Sequence, residues 1–428
     1  MTTFLWYPIA DKCINGCLYC FEDPDFKSEE SAFKPFDRQK MADKMRDLVV
    51  GRENDCQIVL HGGEVLSLPI DDFEFFLKET RKYIDQVSLQ TSLGLPLTPE
   101  HLRLIKIYNV QLGISVDGPP EFNILRGPRR PEANKEFQDI VYKNIQLLNS
   151  SGIRFGLITI LSKANATKDK IDDLIKWCIR NTSGGRFNPM FLPHHREKSE
   201  ISKYILTNEE LTNAYSRLLD AAIKYSNFDF RLFEEIKSTL LGEFKSGCVF
   251  NRCDYLTTTC QTILPDGGVA RCDRCFQDGY FYTSDKSTNA RWQMLEQTEC
   301  KGCKYFVACT GGCPSEGQGG DFRSKSMYCE SDYFMFQCIE NILRKMFPGI
   351  ILSIDVYNYY EDYFIPHKRI NFLMRDNYFI DTKMRMVNST RLLGWVPREN
   401  EPSLSKPSYN HADTNISRPC GDKSCSKK

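Results

Sequence analysis

The sequence predicts an α/β fold with a parallel sheet covered by helices, followed by a region organised by metal more than by apolar burial. Three observations predict it. Strand-like and helix-like segments alternate through the first half. Glycine-bearing or polar turns follow several of the strands, where ligands bind in such sheets. The cysteines are bunched: of eighteen, three lie within residues 13–20 and eleven within 248–338.

The elements follow in order. Residues 35–49 alternate charged and apolar side chains at helical spacing. Ile58-Val59-Leu60 is a buried strand ended by Gly62-Gly63. Residues 71–84 are helical, and Val87 to Thr91 is a strand. Thr98-Pro99-Glu100 opens a helix, with Thr98 as N-cap and Pro99 in the first turn. Val110 to Val116 is a strand stopped by Asp117-Gly118-Pro119-Pro120. A helix over 134–149, a strand from Gly156 to Leu161, a helix near 168–180 and a strand from Phe187 to Leu192 close the series. Thr207 and Glu210 have capping-box spacing and start a helix over 207–227, read as a bridge.

Composition narrows the class. At 428 residues and 41% hydrophobic content, the chain can bury one large core or fill two to three domains. Lys+Arg and Asp+Glu are both 56, so no global charge points to nucleic acid or an anionic membrane. No apolar stretch approaches the ~20 residues of a membrane span. Pro8 and Asp11 cut short the apolar start, so no signal peptide is expected and the location is read as cytoplasmic. Cysteines in a reducing compartment serve as thiolates for zinc or iron–sulfur clusters rather than as disulfides.

The first cluster reads Cys13-Ile-Asn-Gly-Cys17-Leu-Tyr-Cys20-Phe21, a C-x3-C-x2-C spacing. Three thiolates on a four-iron cube leave one iron open to a substrate, unlike the four-cysteine clusters of electron carriers. Gly16 allows the tight turn. A zinc site would need a fourth ligand, and the closest histidine is His61.

This loop resembles the signature loop of radical SAM enzymes. The resemblance implies a partial (β/α)6 barrel, with S-adenosylmethionine (SAM) chelated to the open iron. Its cleavage yields a 5′-deoxyadenosyl radical that abstracts hydrogen. His61-Gly62-Gly63-Glu64 resembles the family's GGE motif, with Val65 in place of the usual proline. Gln90-Thr91-Ser92 resembles a segment below SAM, with Ser92 where Asn is common. Ser115-Val-Asp117-Gly118 resembles the segment contacting the ribose, and Arg126 lies where relatives place an arginine near the SAM carboxylate. The resemblance thus places Tyr19, Gly62, Gly63, Glu64, Ser92, Ser115, Asp117 and Arg126 around SAM.

In the second region, eleven residues separate Cys260 from Cys272, with Gly267 between them. Cys300-x2-Cys303-x5-Cys309-x3-Cys313 follows, then Cys329. This resembles the SPASM domain, which typically carries two auxiliary [4Fe–4S] clusters, making three in all. The resemblance assigns Cys253, Cys260, Cys272 and Cys313 to the first auxiliary cluster. It assigns Cys300, Cys303, Cys309 and Cys329 to the second. Cys248 competes with Cys253, while Cys275 and Cys338 have no slot. Asp273 matches the position of the substrate base in anaerobic sulfatase-maturating enzymes and is the candidate catalytic residue; cluster-shell hydrogen bonding is its other role. His194-His195 reads as loop, because neighbours on a strand face opposite ways.

The expected organisation is a barrel over 1–205, a helical bridge over 206–245, a SPASM domain over 246–345, an extension over 346–395 and a disordered tail over 396–428. The expected function is radical modification of a ribosomally made peptide by cross-linking, excision or other oxidation. The alternatives are a sulfatase-type formylglycine maturase, and, outside radical chemistry, an iron–sulfur electron carrier or a zinc-stabilised binding module. With Cys13 so early, no leader-binding domain is expected before the barrel. The substrate peptide or protein would be held by the barrel face, by residues 340–395 or by a separate partner protein. A flavodoxin or ferredoxin would supply electrons.

Overall fold

The computed structural model describes residues 2–9, 13, 15–21, 36–192, 198–242, 260–270, 274, 291, 294–321 and 323–355. Cys248, Cys253, Cys272, Asp273, Cys275, His194-His195 and residues 356–428 lie outside them. The chain divides into two compact units. The first is Met1–Arg231 with Thr258–Thr283; the second is Leu232–Thr257 with Ser284–Lys428.

The first unit is an α/β structure around a nine-stranded sheet of order β7-β6-β5-β4-β3-β2-β1-β8-β9. Its strands are β1 Thr2–Trp6, β2 Cys56–Leu60, β3 Val87–Thr91, β4 Gln111–Ser115, β5 Phe155–Leu161, β6 Gly184–Pro189, β7 Asp229–Phe230, β8 Cys260–Ile263 and β9 Val269–Ala270. Each pairs in parallel with its neighbours, except that β9 runs antiparallel to β8. The helices are α1 Arg38–Val49, α2 Ile70–Arg81, α3 Pro99–Ile107, α4 Pro131–Ser150, α5 Ile171–Asn181, α6 Lys198–Ser202 and α7 Asn208–Lys224. Strand–helix alternation is what a parallel sheet requires, because each return crossing needs a connection.

Burial explains the sequence pattern. Phe4, Trp6, Ile58, Leu60, Leu89, Ile114 and Leu157 are buried, and β5 alternates buried with half-buried positions along its length. Trp6 also donates its indole N–H to Thr80 of α2 at 2.9 Å, so the polar edge of this buried ring is satisfied. β1 has no counterpart in the sequence reading, which took Thr2 to Trp6 as a brief apolar start. Its β-branched and aromatic residues suit a central strand between β2 and β8. β6 begins and ends three residues earlier than expected. Gly184 and Gly185, before the expected start, pair with Asp229 and Phe230 of β7, and a Cβ on Gly184 would lie 3.0 Å from Asp229.

α7 starts in the capping box expected of Thr207 and Glu210. Its Arg217 makes a bidentate pair with Asp172 of α5, both bonds 2.8 Å, so the helix lies with the first unit. Thr98 caps α3 as expected, but the reciprocal partner is His101, whose Nδ1 faces the Thr98 N–H at 3.3 Å. Burial holds the His101 pKa below its ordinary value. Its contribution to stability is therefore complete above the unfolded value near 6.5. As pH falls through that value, the unfolded chain takes the proton first and stability drops, levelling only below the lowered folded value. The melting temperature should fall across this window, and His101→Gln should flatten that part of the slope.

In the second unit, α8 Arg231–Leu240 and α9 Cys329–Met346 flank loops rich in cysteine and glycine. Ser353 donates to the Thr239 carbonyl at 2.9 Å, tying residues 352–355 to α8. No helix among the described residues is long and apolar enough to cross a membrane.

Candidate functional site

The loops after β1, β2, β3 and β4 meet at the carboxyl end of the sheet. Cys13, Cys17 and Cys20 are all half-buried on the first of them. Gly16 has φ +64°, giving the expected turn. The Cys20 N–H donates to the Cys17 carbonyl at 3.2 Å, and Leu18 N–H to the Leu125 carbonyl at 3.0 Å. The Gly127 N–H points at the Cys17 sulfur at 3.2 Å, and such a donor favours the thiolate. Gly127 has φ +91°, and a Cβ there would lie 2.4 Å from the Phe137 ring, so only glycine fits this approach.

Glu64, 1% exposed, is the hub of the loops after β1, β2 and β3. It accepts from the backbone N–H groups of Leu66 at 3.2 Å and Ser92 at 3.0 Å, and from both the Thr91 and Ser92 hydroxyls. Asn15, between the first two cysteines, donates to Glu64 at 3.4 Å and to Ser92 Oγ at 2.7 Å. The resemblance places Glu64 beside SAM. The structure engages its carboxylate with five donors of the chain itself, so the residue holds the cysteine loop, the Gly62-Gly63 turn and the β3 loop together. Asn15 was not singled out by sequence, because a lone amide between two cysteines carries no pattern. Gly62 and Gly63 both have positive φ.

Asp117 and Arg126 form a second buried group. Arg126 Nη2 lies 2.9 Å from Asp117 Oδ1, and the side chains are 8% and 4% exposed. The Tyr19 hydroxyl and the Ile160 N–H also donate to Asp117, the latter at 2.8 Å. The Arg126 guanidinium sits 5.4 Å from the Tyr19 ring centroid. Burial opposes its charge, but the Asp117 carboxylate outweighs that and raises its pKa. Burial also pushes the Tyr19 hydroxyl well up, so it stays protonated and donates. Arg126 Nε is buried without a hydrogen-bond partner. A buried guanidinium with an orphaned donor fits a carboxylate-bearing ligand. Ser115 accepts from Gln90 at 3.1 Å on the adjacent strand.

Arg274 lies within the first unit, 4.7 Å from the Phe191 ring centroid and 5.8 Å from that of Phe21. Cys260 opens β8 opposite Thr3. Gly267, with φ +82°, makes the turn from β8 to β9.

In the second unit, Cys300 and Cys313 are buried, while Cys303, Cys309 and Cys329 are half-buried. Burial first, then the Asp332 charge, pushes the Cys309 thiol up; the Gly311 and Gly312 N–H groups pull the other way. Both glycines have positive φ, and a Cβ on either would come within 2.5 Å of Leu295 or Ser326. The turn therefore wraps a sulfur with two backbone donors, which suits a cluster ligand. The described cysteines form no disulfide. Among the described residues no three His, Cys, Asp or Glu side chains converge on a single ion.

Comparison with known proteins fits this architecture. The sequence model of the radical SAM superfamily matches residues 7–178. The cysteine-type anaerobic sulfatase-maturating enzyme of Clostridium novyi is 25% identical over 369 residues, covering 77% of this chain and 93% of that protein. The serine-type enzyme of Bacteroides thetaiotaomicron is 22% identical over 351 residues, covering 72% and 81%. The solved structure of native anSMEcpe with bound AdoMet shares the fold at TM-score 0.64 and 20% identity, covering 80% of this chain and 99% of that one. Residues 7–178 thus match the radical SAM superfamily model, in a chain similar along most of its length to anaerobic sulfatase-maturating enzymes.

Proposed function

We propose that this chain is a radical SAM maturase of the sulfatase-maturating type, oxidising a cysteine or serine side chain of a protein substrate to the aldehyde of formylglycine. The observation that carries the reading is the three-cysteine loop, tied by Asn15, Glu64 and Ser92 to the carboxyl end of the sheet. The curated relatives favour this over cross-linking or excision of a ribosomal peptide, the first expectation from sequence. What the two readings share is a radical SAM maturase acting on a peptide or protein.

When bound, SAM and [4Fe–4S] clusters supply a hydrogen-abstracting radical and an acceptor for one electron. Cys13, Cys17 and Cys20 would hold the SAM-cleaving cluster. Cys253, Cys260, Cys272 and Cys313, and separately Cys300, Cys303, Cys309 and Cys329, would hold two auxiliary ones. The chain's own residues bind and orient. The Gly62-Gly63 turn brings backbone acceptors to the SAM ammonium, and Arg126 offers its Nε donor to the SAM carboxylate. Asp117 fixes the guanidinium and Tyr19 covers its face. The oxidation removes one hydrogen atom, one electron and one proton, and Asp273 takes the proton from the substrate thiol or hydroxyl. Serine then gives the aldehyde directly, whereas cysteine gives a thioaldehyde that water hydrolyses to the aldehyde with release of hydrogen sulfide.

The test uses reconstituted enzyme with reductant, SAM and sulfatase-derived peptides bearing cysteine or serine. Aldehyde captured by a hydroxylamine probe and seen by mass spectrometry is the expected result. Asp273→Asn should still release 5′-deoxyadenosine but lose most of the aldehyde. Release of 5′-deoxyadenosine with neither peptide oxidised would overturn the formylglycine reading and leave the radical one standing.

A further inference from the structure

The second unit contains an ionic network around a buried carboxylate that no part of the radical chemistry uses. Its centre is Glu340 on α9, 3% exposed. Lys304 Nζ lies 2.7 Å from both carboxylate oxygens, the Tyr305 hydroxyl donates at 2.5 Å, and Arg344 Nε donates at 2.7 Å. Arg344 reaches on to Asp355 at 2.7 Å, and Asp355 accepts the Leu352 N–H at 2.9 Å. Burying a carboxylate is costly unless paired, so the chain has matched it with two cations and a phenol.

The location of the partners gives the network its meaning. Lys304 and Tyr305 lie between Cys303 and Cys309. The Tyr305 carbonyl accepts the Cys309 N–H at 2.7 Å, and the Cys300 carbonyl accepts the Cys303 N–H at 3.0 Å. Tyr305 also packs on α9, with ring centroids 4.8 Å from Tyr333 and 5.5 Å from Phe336. Cys329 is the first residue of α9, and Glu340 is eleven positions later. Eleven residues are close to three full turns, so Cys329 and Glu340 share one face of the helix. The same bonds that hold Lys304 and Tyr305 to Glu340 therefore hold the loop of Cys300, Cys303 and Cys309 against the helix face that starts at Cys329.

We propose that Glu340 is the positioning residue of a four-cysteine cluster site made by Cys300, Cys303, Cys309 and Cys329, fixing the loop to the helix before iron is bound. The proposal rests on the reading of these cysteines as an auxiliary cluster. Glu340 touches no ligand sulfur itself; it acts through Lys304, Tyr305 and α9. Arg344 and Asp355 extend the clamp to residues 350–355.

The experiment compares wild type, Glu340→Gln and Glu340→Leu after anaerobic reconstitution. Iron per chain, the electron paramagnetic resonance of the reduced enzyme and 5′-deoxyadenosine release are read together. Wild type should hold about twelve irons, four per cluster. Glu340→Leu should fall to about eight and lose one cluster signal, with 5′-deoxyadenosine release within about twofold of wild type. Glu340→Gln keeps the shape and one acceptor oxygen; it should keep most of its iron but show shifted g-values for one cluster. Unchanged iron and spectra in both variants would overturn the assignment. So would equal loss of all three signals in both, which would mark a general folding role. A wild type holding only about four irons would overturn the auxiliary-cluster reading itself, and the Glu340 proposal with it.

Discussion

Replacing Cys13, Cys17 and Cys20 together by alanine is expected to abolish 5′-deoxyadenosine formation, a drop of at least about a thousandfold, equal to some 4 kcal/mol of barrier. Each thiolate would ligate a different iron, and no other described side chain stands in the loop to replace them. Iron should fall by about four per chain while the rest stays bound. Stability should change little. The three thiols are half-buried, and Asn15 and the Leu18 N–H anchor the loop through bonds that the substitutions leave in place. A triple variant that still produced 5′-deoxyadenosine at the wild-type rate would sink the radical assignment.

Asp117→Leu should have the largest effect on folding. The substitution leaves the Arg126 guanidinium buried with its counter-charge gone, which costs about 3–5 kcal/mol. The Tyr19 hydroxyl and the Ile160 N–H lose their acceptor as well. Urea unfolding of the full chain should show the loss as a lower midpoint. Asp117→Leu with Arg126→Met removes both charges and should recover a large part of it. A loss below about 1 kcal/mol in the single variant would show that the pair is far better solvated than its burial implies. The double variant separates two roles: recovered stability with SAM cleavage still absent would place the Asp117–Arg126 pair on the cofactor as well as in the fold.

Sequence reached different depths in different places. β3 was legible to the residue, because Val87 to Thr91 alternates between polar and apolar between two breaks. The Thr98 cap was legible because its chemistry is local. His101 as the reciprocal partner was not, since a histidine in the first turn has no capping pattern of its own. The roles of Glu64 and Ser92 were read as contacts with a ligand. The structure adds that they bond to each other, which depends on β2 and β3 being neighbours and cannot be seen along the chain. The pairing of Asp117 with Arg126 is hidden for a similar reason. The two sit nine residues apart in a loop, and the β5 backbone through Ile160 aligns them. The start of β6 was placed late because Gly184 and Gly185 carry no apolar pattern; they pair beside Asp229 of β7, which leaves little room for a Cβ. The network around Glu340 was not legible, because charged residues on a helix ordinarily mark its solvated face.

The pairing of β1 with β8 has a consequence for biosynthesis. Thr3 stands beside Cys260, so the central strand of the first unit is completed by a segment made long after it. At ~5–20 residues per second, the β8 side of β1 stays open for on the order of ten seconds or more on the ribosome. The exposed strand, Thr2–Trp6, is apolar and aromatic, the kind of edge that pairs with other chains. Release of the β8–β9 hairpin ends this exposure. The first unit cannot finish folding from its leading segment alone; its last step waits for translation of the cysteine-rich segment downstream.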